Sequence, residues 1–68
     1  MNILERKDYV QGLLNDFHTR MEASEKLAEK EELTLKTAKN FVYTMFSGSE
    51  YDDRQIVKRA RQAVKSNQ

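Results

Sequence analysis

The chain contains no cysteine and no proline, and only two glycines and one histidine among its 68 residues. Without cysteine there are no disulfides and no thiolate metal sites. One histidine with scattered carboxylates does not make a zinc site. Few glycines and no proline leave few strong turn signals, which favours helices over a many-turned sheet. No long apolar run is present, so the sequence predicts neither a membrane span nor a secretory signal, and a cytoplasmic protein is the expectation. At this length a single domain, residues 1–68, has only a marginal core. With no disulfide or metal, its helices must pack well or the chain must self-associate.

Charge is plentiful but nearly balanced: 12 Lys and Arg against 11 Asp and Glu, for a net +1. Its distribution is uneven. Residues 1–33 carry five cations against eight acids, and residues 34–68 carry seven cations against three acids. Such asymmetry between halves is a compositional sign of a polyanion-facing surface.

Apolar residues set a helical period from the start. Ile3, Val10, Leu13, Leu14, Phe17 and Met21 recur at three- and four-residue steps, predicting a first helix over about Ile3–Met21. Asn2 fits its N-cap, with Glu5 completing a capping box, and Gly12 falls on the exposed side. Residues 23–32 are strong helix formers with two readings. Either the first helix continues to about residue 32, or the chain breaks near Glu22–Ser24 and Ser24 caps a short second helix carrying Leu27 and Ala28. Thr34 fits the N-cap of the next helix, Leu35–Phe46, and Gly48 its left-handed terminator. Asp52 or Asp53 is expected to cap a last helix, which carries Ile56, Val57, Ala60, Ala63 and Val64 on one face. The tail, Ser66–Gln68, is expected to fray. The fold class is therefore all-α, a small bundle of three or four helices.

The segment Leu33–Ser49 contains no Asp or Glu. As a helix it places Leu35, Ala38, Phe41, Val42, Met45 and Phe46 on a core side. Lys36, Asn40, Tyr43 and Ser47 lie within about 60° of one another on the opposite side. Beyond it, Arg54, Lys58, Arg61 and Lys65 form a basic stripe at i, i+4, i+7 and i+11. No Gly-rich phosphate loop, paired-carboxylate motif or His-x-Glu arrangement is present. His18 stands alone near the edge of the first apolar stripe, so no enzyme, metal or cofactor is expected.

A short helix (Ser24–Glu31), a tight connection (Glu32–Leu33) and a polar-faced helix (Leu35–Phe46) have the outline of a helix-turn-helix. Over Ser24–Tyr43 the chain resembles small regulators of the repressor and Cro type, or those of phages and plasmids. Ala28 stands where that family has its small residue. Leu33 stands at the apolar position after the turn, and Leu35, Ala38 and Phe41 at the buried positions of the second helix. Glu32 replaces the usual turn glycine, and Glu31 the usual apolar residue before it. The resemblance implies that Thr34, Lys36, Thr37, Lys39 and Asn40 face the major groove. Asn40 would then pair with adenine, and Lys36 or Lys39 with guanine or phosphate. Tyr43 would either stack or hydrogen-bond to the partner or simply cover a neighbouring side chain, and Arg54, Lys58, Arg61 and Lys65 would either contact the DNA backbone or form an ordinary solvated face. This reading makes the protein a dimeric, sequence-specific regulator of transcription or recombination that binds double-stranded DNA.

A rival reading is a protein-binding module, an inhibitor or adaptor, whose Glu-rich Glu22–Glu32 helix or Tyr43 face docks on a partner protein. A homodimer through paired first helices is compatible with both readings.

Overall fold

Asn2 begins the first helix as its sequence predicts. The Asn2 side chain accepts from the Glu5 amide at 2.8 Å while the Glu5 carboxylate accepts from the Asn2 amide at 3.2 Å. In the computed structural model, which describes residues 1–66, this helix is α1 (Ile3–Asn15). It stops six residues before the predicted Met21. Phe17 adopts a left-handed φ of 71°, and the His18 amide folds back onto the Leu13 carbonyl at 3.1 Å. The break therefore lies at 16–19, not at Glu22–Ser24, and residues 3–32 form two helices. Its cause is a second capping box: Thr19 accepts from the Glu22 amide at 3.2 Å, and Glu22 accepts from the Thr19 amide at 2.9 Å. Met21 keeps the apolar period across this break, so periodicity alone does not reveal it.

The second helix, α2 (Arg20–Glu31), thus begins four residues before the predicted Ser24 cap. Ser24 is fully buried within it and donates its hydroxyl to the Arg20 carbonyl at 2.7 Å. His18, expected at the edge of the first helix, lies in the connection between α1 and α2. At the end of α2, Glu32 takes φ 54° and ψ 43°, the left-handed conformation that most L-residues avoid. Thr34 then caps α3 (Leu35–Met45), accepting from the Thr37 amide at 3.2 Å.

Seven apolar residues form the buried core: Val10 and Leu14 of α1, Ala23 and Leu27 of α2, Ala38 and Val42 of α3, and Phe46. Four members of the predicted first stripe lie outside it: Leu13 and Phe17 are half-buried, and Ile3 and Met21 are 63% and 37% exposed. Helix α1 supplies Val10 and Leu14 to the core from its second half, leaving Ile3 in the first turn outside, and the break turns Met21 away. Leu35 and Met45, expected in the core, are also exposed, whereas Ala28, Leu33 and Phe41 are half-buried. The start of α2 lies against the end of α3. The Arg20 guanidinium sits 4.3 Å from the Tyr43 ring centroid and donates to the Phe46 carbonyl at 3.2 Å. Helices α2 and α3 therefore form a hairpin that returns along its own length.

Phe46 closes α3, so Gly48 is not its immediate terminator. Gly48 adopts φ 116° in the loop that leads to α4 (Glu50–Ser66). That helix starts two residues before the predicted Asp52 cap. Asp52 instead accepts from the Arg20 amide, the first of α2, at 2.9 Å, beside the Thr19 cap. Tyr51 packs edge-on against Phe46 with centroids 5.8 Å apart, and Gln55 is the one buried residue of α4. The apolar face of this helix, with Ile56, Val57, Ala60, Ala63 and Val64, lies outside the core. Among the described residues there is no strand, and no helix is long and apolar enough to cross a membrane. Ser66 closes α4; the rest of the tail expected to fray, Asn67 and Gln68, lies outside the described residues.

Candidate nucleic-acid interface

The α3 surface opposite the core is uncharged or cationic. Lys36, Thr37, Asn40 and Thr44 are exposed and Lys39 is half-buried. Leu35, Lys36, Lys39 and Asn40 line a shallow groove there. A groove bordered by two ammonium groups and an amide can take phosphate oxygens and can pair with a base edge. Thr34 and Thr37 are already committed to the helix start, where their hydroxyls lie 2.9 Å apart beneath the capping bond.

Tyr43 takes the second of its two expected places, covering a neighbouring side chain. It is half-buried beneath the Arg20 guanidinium, so it holds α2 against α3 rather than standing free on the polar face. Ser47 follows α3 in the loop and is exposed.

The acidic turn preceding α3 is partly neutralised from within. Glu31 accepts from Arg6 at 3.0 Å and from the amino terminus of Met1 at 3.1 Å. These partners hold its carboxyl below the usual range, with Arg6 the larger cause. Glu32 remains exposed. The charges around α4 divide similarly. Arg59 donates to the Phe17 carbonyl and, at 2.7 Å, to Glu22, pulling the Glu22 carboxyl down to about 2 with help from the Thr19 amide. Arg54, Lys58, Arg61 and Lys65 are all exposed, with Arg54 6.0 Å from the Tyr51 ring centroid. The stripe thus keeps its charge toward solvent, while Arg59, on a different side of the helix, serves the fold.

The junction that holds α4 is not visible in the sequence pattern. Arg20 is 8% exposed; its guanidinium donates to both Asp52 carboxylate oxygens at 2.9–3.2 Å. This bond raises the Arg20 pKa and lowers that of Asp52. Thr19 three residues before Glu22 is the one local signal for it, since that box starts α2 at Arg20. His18 Nδ1 and Gln55 Oε1 are buried without hydrogen-bond partners among the described residues. No group of three or more His, Cys, Asp or Glu side chains among them is placed to hold a metal ion. Comparisons with models of known protein families, with characterised proteins and with solved structures find no match to this chain.

Proposed function

We propose that this protein binds double-stranded DNA in the cytoplasm as a small regulator of transcription or recombination, with no catalytic activity. One observation carries the reading. The outward face of α3 presents Lys36, Thr37, Lys39 and Asn40 with no carboxylate, and Glu31 beside it is tied to Arg6 and the amino terminus. Asn40 pairs with adenine, the two lysines contact guanine or phosphate, and Thr34 and Thr37 meet phosphate at the helix start. The exposed stripe Arg54, Lys58, Arg61 and Lys65 adds affinity without sequence preference.

The order α2, short turn, α3 is compatible with a helix-turn-helix outline, and Glu32 adopts the left-handed conformation where the family it resembles has glycine. Helices of the standard motif cross at about 90–120°, whereas α3 here returns closely along α2. The surface chemistry of α3, rather than a crossing angle, therefore supports the DNA reading.

Fluorescence anisotropy with duplexes drawn from the flanks of the chain's own gene tests the reading. Affinity falls steeply with salt, and Lys36→Ala combined with Asn40→Ala removes the preference among sequences. Replacing Lys58, Arg61 or Lys65 by Ala weakens binding to all duplexes alike and lowers the salt slope by about one for each phosphate left without its cation. No binding at low salt ends the DNA reading. It would then favour a cationic protein partner for the exposed Glu25 and Glu29 of α2.

A further inference from the structure

The apolar side of α4 has no partner within the described chain. Asp53, Ile56, Ala60 and Ala63 follow one another at three- and four-residue steps, with Val57 and Val64 beside them. This is the spacing at which one helix packs along another. Ile56, Val57 and Val64 are 56%, 47% and 58% exposed. Ala60 and Val64 line a shallow groove edged by Arg61 and Lys65. The body of the protein holds α4 by another side, through Tyr51, Asp52, Gln55 and Arg59. At about 100° per residue, that side is centred about 130° from the apolar one, so the body does not cover the apolar side in this arrangement.

Charge along α4 says what does. Of the charges the body does not take up, the first turn carries Glu50 and Asp53, and the second half carries Lys58, Arg61 and Lys65. Side-by-side parallel copies set like charge against like, whereas antiparallel copies set each acidic start beside the other's basic end. We propose that α4 pairs antiparallel with α4 of a second copy of this chain, forming a two-fold symmetric dimer. In the register that packs Ala60 against Ile56 and Val57 of the other copy, Asp53 comes beside Val64, within reach of Arg61 and Lys65. Large residues meet small ones, and the one carboxylate on the apolar stripe meets two cations. A lipid surface suits the stripe less well, because it would draw Asp53 toward the acyl chains and offers it no cation. The two-fold axis also brings both basic stripes to one face of the dimer, although the pairing does not rest on the DNA reading. One helix per copy buries less than the roughly 1,200–2,000 Å² of stable complexes, so the dimer forms and dissociates with concentration.

Sedimentation velocity of the full chain across micromolar to millimolar concentration, without nucleic acid, tests this. The mass rises toward twice that of the chain. Ile56→Asp raises the dissociation constant at least about tenfold, while circular dichroism shows the helix content retained, since residue 56 is outside the core. Two charge variants fix the direction. Asp53→Lys alone is monomeric, Arg61→Glu with Lys65→Glu alone is monomeric, and their equimolar mixture dimerises. A wild type that stays monomeric throughout overturns the proposal, as does a dimer indifferent to Ile56→Asp. Charge variants that self-associate as well as the wild type overturn the antiparallel arrangement. Co-sedimentation of a monomeric chain with phosphatidylglycerol–phosphatidylcholine vesicles overturns it in favour of a lipid occupant.

Discussion

At the scale of single residues, the positions legible in the sequence are those whose chemistry is local. Asn2 with Glu5, and Thr34, start helices because each cap needs only the amide three residues ahead. Glu32 is the converse. Its φ of 54° belongs to a conformation that costs an L-residue about 1–2 kcal/mol and glycine little. Its side chain is exposed, so little packing opposes a change. Glu32→Gly is expected to raise stability in urea unfolding by about 0.5–1 kcal/mol, less than the strain relieved because glycine also loosens the unfolded chain. A loss of stability would mean that the Glu32 carboxylate has a compensating role. Arg20 is not legible at all. It reads as one more cation until Asp52, 32 residues further on, arrives beside it.

At the scale of elements, periodicity locates the apolar faces of α1 and α3 and misplaces their limits. The step of three and four residues runs through Met21 without registering that Phe17 has turned left-handed. Amphipathicity also predicts the two faces of α4 without saying which of them the body uses. The body uses neither the apolar nor the basic stripe, but the narrow side that bears Tyr51, Asp52, Gln55 and Arg59. Attachment there is largely polar. Arg20→Met removes the guanidinium hydrogen bonds to Asp52 and to the Phe46 carbonyl but keeps the amide bond to Asp52, leaving a partly exposed carboxylate that water can reach. The expected cost in urea unfolding is about 2–3 kcal/mol, the scale of hydrogen bonds to charged groups. Arg20→Lys is expected to recover little of it, because an ammonium lacks the planar fork that meets both Asp52 oxygens. Equal stability of wild type and Arg20→Met would show that the remaining contacts, Tyr51, Gln55 and Arg59 among them, hold α4 without the guanidinium.

For the molecule as a whole, the same ion pairs set its response to acid. The carboxyls of Glu22, Asp52 and Glu31 all lie below their ordinary values in the folded chain, that of Glu22 at about 2 against 4.5. The unfolded chain therefore takes up their protons first as pH falls. Their contribution is fully present above about pH 5 and is lost progressively from there toward pH 2. Thermal unfolding is expected to be nearly constant between pH 5 and 7 and to weaken steadily below, more gently in high salt because Glu22 is well exposed. A chain equally stable at pH 2.5 and 6 would refute it. The attachment of α4 also divides the chain in two. Helices α2 and α3 are joined by a three-residue connection, and the buried core they share with α1 and Phe46 contains no residue of α4. That part of the chain sets Arg20 against the Tyr43 ring and the Phe46 carbonyl, a cation whose counter-ion, Asp52, comes with α4. The last helix thus docks on a site built by the earlier part of the chain.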